Sequence, residues 1–302
     1  MTVLKYSLSL ILTVAFIQPF FAQEVTWAGK RLNTRSMFLD PNEIQMFGAF
    51  TAIEYDSKTE ITEFGKHTKK IKEQTESILY IPFGFGGAQS IVSKLLIEEK
   101  KAKSWEILGE FGISTQFEWR FLDSAGINRN LLNSDYRITF SYLRNFESSS
   151  YRIRFFHVSS HLGDDFIIRN GVSFYTPSNM NYEQLDFTYF KEFKQSNSWY
   201  IGAGSVVRPN STRAAFSYMS GIQLNWEKQQ DTWGWTAGAN LKGHQETDFN
   251  PNIKLAAGPA YFTSDKDEPI RLVLEYYLGH LPYSQYESQK VSWFGAGLYF
   301  YL

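Results

Sequence analysis

One pattern constrains this chain more than any other: side chains alternate in character with a period of two, in segment after segment. Between Trp105 and Arg120 one set reads Trp105, Ile107, Gly109, Phe111, Ile113, Thr115, Phe117, Trp119. The interleaved set reads Glu106, Leu108, Glu110, Gly112, Ser114, Gln116, Glu118, Arg120. In a β-strand successive side chains point to opposite faces, so one face is apolar with Trp at both ends and the other is charged. A soluble sandwich also alternates, but its strands run to about 5–6 residues, whereas a strand that crosses a bilayer needs about 9–11. The length of this run favours the membrane.

The pattern recurs. Phe216, Tyr218, Ile222, Leu224 and Trp226 oppose Ser217, Gly221, Gln223 and Asn225, and Leu272, Leu274, Tyr276 and Leu278 oppose Arg271, Glu275 and Tyr277. About twelve strands are expected, an even number as in bacterial barrels. They start near Ile44, Ile78, Trp105, Tyr136, Tyr151, Tyr182, Trp199, Ala214, Trp233, Ile253, Arg271 and Val291. The expected fold is all-β: a closed antiparallel transmembrane barrel over residues 44–302 with both termini periplasmic. Connections then alternate between short periplasmic turns and longer outer loops. Leu162–Met180 fits an outer loop, while Leu95–Ser104 is long for a periplasmic turn.

Composition agrees. Aromatic residues make up 17% of the 302 residues, yet the mean hydropathy is −0.31. A barrel in lipid has that balance, because only its outer face is apolar and aromatic belts ring both interfaces. Lys5, the apolar stretch from Tyr6 to Phe21, and Ala22 read as a signal peptide over residues 1–22, too short for a spanning helix. Residues 23–43 are expected as a periplasmic lead-in. The location that follows is the outer membrane of a Gram-negative bacterium. The expected partners are outer-membrane lipid and the machinery that assembles such barrels. A formal net charge of −1 gives no basis for binding nucleic acid, which needs a basic stripe. The absence of cysteine removes disulfides, thiolate metal sites and Cys nucleophiles.

No nucleotide loop, H-E-x-x-H or G-x-S-x-G motif is present. The segment Tyr151-Arg152-Ile153-Arg154-Phe155-Phe156-His157-Val158-Ser159-Ser160-His161-Leu162-Gly163-Asp164-Asp165 stands out instead. Arginine is costly at mid-bilayer, so Arg152 and Arg154 must face the lumen. Alternation then puts His157, Ser159 and His161 on the lipid face, near the outer interface. Two residues apart on one face, His157 can act as general base for a Ser159 nucleophile. Asn181 or Glu183 on the next strand is the candidate to orient the imidazole, in a register that sets Glu183 across from Ser159. The plainer reading is polar residues contacting headgroups. Ser160, His161, Gly163, Asp164 and Asp165 form the loop beside the site. A backbone N–H near Gly163 is a candidate oxyanion donor, and Asp164 with Asp165 a candidate Ca²⁺ site or a solvated loop. Arg152, Arg154, Arg137 and Glu275, with Glu106, Glu110 and Glu118, form an expected lumen network. For about twelve strands that reads as a salt-bridged filling rather than an open channel. His67, His244 and His280 read as surface residues.

Three stretches resemble a bacterial family known as domain of unknown function 1207. They are His157-Val158-Ser159-Ser160-His161-Leu162-Gly163-Asp164-Asp165, then Leu274-Glu275-Tyr276-Tyr277-Leu278-Gly279-His280-Leu281-Pro282-Tyr283-Ser284-Gln285-Tyr286, and the weaker Phe38-Leu39-Asp40-Pro41. The resemblance implies an outer-membrane-type barrel and no established activity. The His157-x-Ser159 element is also similar to that of outer-membrane phospholipase A and of a lipid A deacylase. That likeness implies an acyl-ester hydrolase acting on phospholipid or lipid A. The alternative is a non-enzymatic barrel with a structural, narrow-channel or assembly role.

Overall fold

The computed structural model describes residues 25–29, 31–32, 36–55, 61–63, 67–69, 78–98, 101–122, 126–164, 181–194, 196–208, 215–227, 232–263, 268–282 and 290–301. The expected signal peptide lies outside them. Twelve long strands carry the fold: β1 (Met46–Tyr55), β2 (Ile78–Glu98), β3 (Lys101–Leu122), β4 (Gly126–Asn145), β5 (Ser149–Leu162) and β6 (Asn181–Glu192). Then follow β7 (Ser198–Arg208), β8 (Phe216–Trp226), β9 (Thr232–His244), β10 (Asn252–Phe262), β11 (Ile270–His280) and β12 (Lys290–Phe300). Each pairs antiparallel with its sequence neighbours, and β12 pairs with β1, which closes the ring. This is the closed twelve-stranded barrel that the alternation predicts. A short strand, Val25–Trp27, adds to the lower part of β2, with Thr26 opposite Ser93.

The strands are steeply tilted. A line of paired residues followed once round the ring from Leu95 passes Ser104, Asn145, Ser150, Phe190, Tyr200, Gly221, Asn240, Lys254, Tyr277, Trp293 and Ile53. It returns to β2 at Ile78 rather than Leu95; such a stagger is what closing a tilted sheet requires. The wall faces follow the alternation: Phe111, Ile138, Phe140, Ile153, Leu272 and Leu274 are exposed outside. Trp199, Trp226, Trp233 and Trp235 are exposed near the end that carries the C-terminus, where an aromatic belt is expected. The connection expected over Leu95–Ser104 is mostly strand. β2 and β3 run to Glu98 and from Lys101, which leaves two residues between them; the charges of that stretch hide strand that the backbone pairing extends.

The lumen is filled. The lead-in expected over residues 23–43 does not stay outside the barrel, because residues 36–43 are buried within it. The charges explain why. Glu43 receives two hydrogen bonds from Arg152, at 2.7 and 2.9 Å, and one from Arg154 at 3.1 Å. Arg154 also bridges to Asp186 at 3.1 Å, and Lys242 to Asp40 at 3.0 Å. Arg137 donates to the carbonyl of Asn42. The guanidinium of Arg271 lies 4.4 Å from the Phe38 ring centre. Buried charges persist only when paired, and these pairs come from β4, β5, β6, β9 and β11 together. Elsewhere in the lumen Glu275 accepts from Trp293 at 3.0 Å and lies 3.3 Å from Lys254. Glu106, Glu110 and Glu118 are buried as well.

His244 and His280, expected at the surface, are buried. At His280 the cause is local. Gly279 has φ of +150°, and a Cβ there would stand 2.4 Å from the Asn252 side chain. That backbone, open to glycine alone, breaks the alternation, so His280 and then Leu281 turn inward. Leu281 packs with Ile53, Tyr80, Leu132, Tyr277, Val291 and Trp293, and Leu162 joins this cluster. The side chain of His67 lies outside the described residues.

Candidate functional site

The end of β5 carries the candidate residues. Ser160 faces the lumen, donates to the Asp135 carboxylate and accepts from Asn133 at 3.3 Å. Gly163 ends the strand. Its N–H donates to Leu132 O at 2.8 Å, and a Cβ there would meet Leu131 O at 2.0 Å. Only glycine fits so close an approach. These inward ties leave His157, Ser159 and His161 together on the outer face.

The register between β5 and β6 differs by two residues from the expected one. His157 stands opposite Glu183, and Ser159 opposite Asn181. The shift brings two residues together: His157 Nδ1 lies 3.0 Å from Glu183 Oε1. With Glu183 as the acceptor and the imidazole neutral, Nδ1 carries the proton and Nε2 is left as an acceptor. Ser159 Oγ is hydrogen-bonded to His161 Nε2 at 3.1 Å, not to His157. His161 in turn stands edge-on to Tyr136, with ring centres 5.6 Å apart. Tyr136 is the residue opposite Ser159 on β4. The serine thus sits between two imidazoles on its own strand and two polar neighbours on the flanking strands.

The inner face of the same strand pair is fixed by charge. Arg154 and Asp186 are direct cross-strand partners in the lumen, three residues from the His157–Glu183 pair outside. Two charge-bearing pairs on opposite faces therefore hold one register. Glu43 and Asp40, which complete the inner network, escape a reading based on alternation because their segment has no strand period. The available signal was an acid at position 43 able to answer two arginines.

The backbone N–H of Gly163 is committed to Leu132, which removes it as an oxyanion donor. Asp164 is exposed, and Asp165 lies outside the described residues. Among the described residues no group of three metal-ligating side chains is gathered.

Comparison with solved structures finds the same barrel. The Salmonella typhi outer membrane phospholipase dimer, whose structure holds bound calcium, matches with a TM-score of 0.51 at 10% identity, over 90% of this chain and 93% of that one. Outer membrane phospholipase A from Escherichia coli matches with a TM-score of 0.50 at 10% identity, over 85% and 89%. At such identity the likeness concerns the fold. No individually curated protein matches the sequence. A family model matches residues 96–302, and the chain therefore belongs to the family described as protein of unknown function (DUF1207).

Proposed function

We propose that the protein is an outer-membrane acyl-ester hydrolase, exported behind its signal peptide, that cleaves phospholipid or lipid A at the lipid-facing end of β5. One observation carries this reading: Ser159 shares a strand face with a histidine already held by a carboxylate, His157 on Glu183 at 3.0 Å. A base needs that third group to fix its tautomer.

The chemistry follows from the arrangement. Ser159 Oγ, turned about its Cα–Cβ bond from His161 toward His157, attacks the ester carbonyl. His157 Nε2 takes the hydroxyl proton, and Glu183 steadies the imidazolium that forms. The tetrahedral oxyanion collapses, the C–O bond to the alcohol breaks, and His157 returns its proton to the leaving oxygen. Water then repeats the sequence on the acyl-enzyme and frees the fatty acid. Asn181, opposite Ser159 and not opposite His157, is the side-chain amide in register to donate to the oxyanion.

The test uses the purified barrel with phospholipid vesicles and, separately, with lipid A. Fatty acid should appear from one of them with the native protein and not with Ser159→Ala. Equal release from the two proteins would end this reading in favour of a non-enzymatic barrel. The structural form of that alternative draws support from the filled lumen. The channel form does not, because residues 36–43 occupy its path.

A further inference from the structure

The outer wall next to the serine is not uniform. A furrow runs across β2, β3 and β4, with a floor of Gly87, Ala88 and Gly109 and sides of Phe111, Ile138 and Phe140. All three larger side chains are exposed. The furrow adjoins the candidate site: Ile138 on its side is the cross-strand partner of His157, Phe111 of Ile138, and Gly87 of Phe111.

The tilt of the barrel gives this line a direction. His157 lies near the last residues of β5. Gly87 lies just past Gly84, which pairs with Phe47 at the start of β1. Moving across the strands from His157 to Gly87 therefore descends toward the end of the barrel that carries the C-terminus. Three strand spacings make the path about 14 Å long. Its lower end is closed by polar contacts: Gln89 donates to Gly29 O at 3.2 Å, and Ala28 N–H donates to Ile91 O at 3.0 Å.

We propose that this furrow is the acyl-chain subsite of the enzyme, seating the chain whose ester Ser159 attacks and measuring its length against the Gln89–Gly29 closure. The proposal rests on the hydrolase reading of the site. A lipid chain entering the furrow leaves one apolar solvent for another, so burial as such contributes nothing. The gain comes from dispersion contact with Phe111, Ile138 and Phe140, and from holding the ester beside the serine. The glycines make room for the chain. A Cβ at Gly87 would have no atom within 4 Å, and one at Gly109 would meet only the tip of Ile91 at 3.3 Å. Gly87 does not need glycine for its own packing, so it can be filled without disturbing the wall.

The experiment uses the full-length barrel in bilayers containing phospholipid with a diazirine at the acyl terminus. After irradiation, crosslinks should concentrate on β2 and β3 around Gly87, Gln89 and Gly109, and Gly87→Phe should remove them. In the activity arm, Gly87→Phe should slow release of octadecanoate by about tenfold more than release of butanoate. Phe111→Ala should relax the preference between chain lengths. Crosslinks spread evenly over the wall, Leu272 and Leu274 on β11 included, would overturn the subsite. So would a Gly87→Phe effect equal for all chain lengths. Should the native protein release acid from no ester, the hydrolase reading fails, and the crosslink map still decides the furrow.

Discussion

The two faces of β5 hold the same kinds of groups under opposite rules. Inside, Arg152 and Arg154 are buried and their partners Glu43 and Asp186 are equally buried. Outside, the His157 side chain is 42% exposed and that of Glu183 21%. A charge sealed in the lumen has no substitute for its partner, so every contact there is obligatory. An imidazole at the lipid interface can exchange partners, as the proposed mechanism requires when Ser159 turns from His161 to His157. Stability is set on the inner face, and the proposed chemistry on the outer one. The backbone between them is shared, so the inner charges also fix the register that sets Glu183 opposite His157.

This contrast can be broken at its strongest point first. Ser159→Ala should lower fatty-acid release by about 10⁴-fold or more and abolish labelling by a serine-directed organophosphonate, while the urea midpoint stays put. A shifted midpoint would mean that the outer face also carries stability. Next, Glu43→Leu leaves two buried guanidinium groups without their shared carboxylate. It should lower the unfolding free energy by about 3–5 kcal/mol, measured by urea titration in bilayers. An unchanged midpoint would show that water reaches the lumen. Glu183→Gln keeps an acceptor for His157 but removes the negative charge that steadies the imidazolium, and activity should fall by about 10²-fold with stability within about 0.5 kcal/mol of native. Smallest of all, His161→Ala should cost less than about tenfold in rate. A loss as large as that of His157→Ala would transfer the role of base to His161.

Alternation was enough to read the barrel, its faces and all twelve strands. The reason is physical: a strand with lipid on one side and buried charge on the other has no freedom of phase. The same rule put Arg152 and Arg154 inside and His157 and Ser159 outside. It could not supply register, because β5 and β6 are joined by a connection long enough to permit several. The step of two residues between the expected and observed pairing moves Glu183 from Ser159 to His157 without changing any face. The rule also fails where the backbone leaves strand geometry. Gly279 turns His280 inward, and no periodicity of side chains reveals that. The lumen segment was the hardest to read. Met37, Phe38 and Leu39 are apolar and Asp40 and Glu43 acidic, with no period, and they gain a place only from partners scattered over nine strands.

The Val25–Trp27 strand has a consequence for the integrity of the wall. β2 meets β1 through Gly84 and the residues before it, so the lower part of β2 faces no barrel strand on that side. An open ladder of N–H and C=O groups is a liability, both for pairing with foreign chains and beside hydrocarbon. The N-terminal stretch pairs with that edge at Val92, Ser93 and Lys94, then crosses to Glu106 in the lumen, fills the interior, and emerges as β1. It is a lace drawn across the junction of β1 and β2. A force that parted β1 from β2 sideways would have to undo it as well.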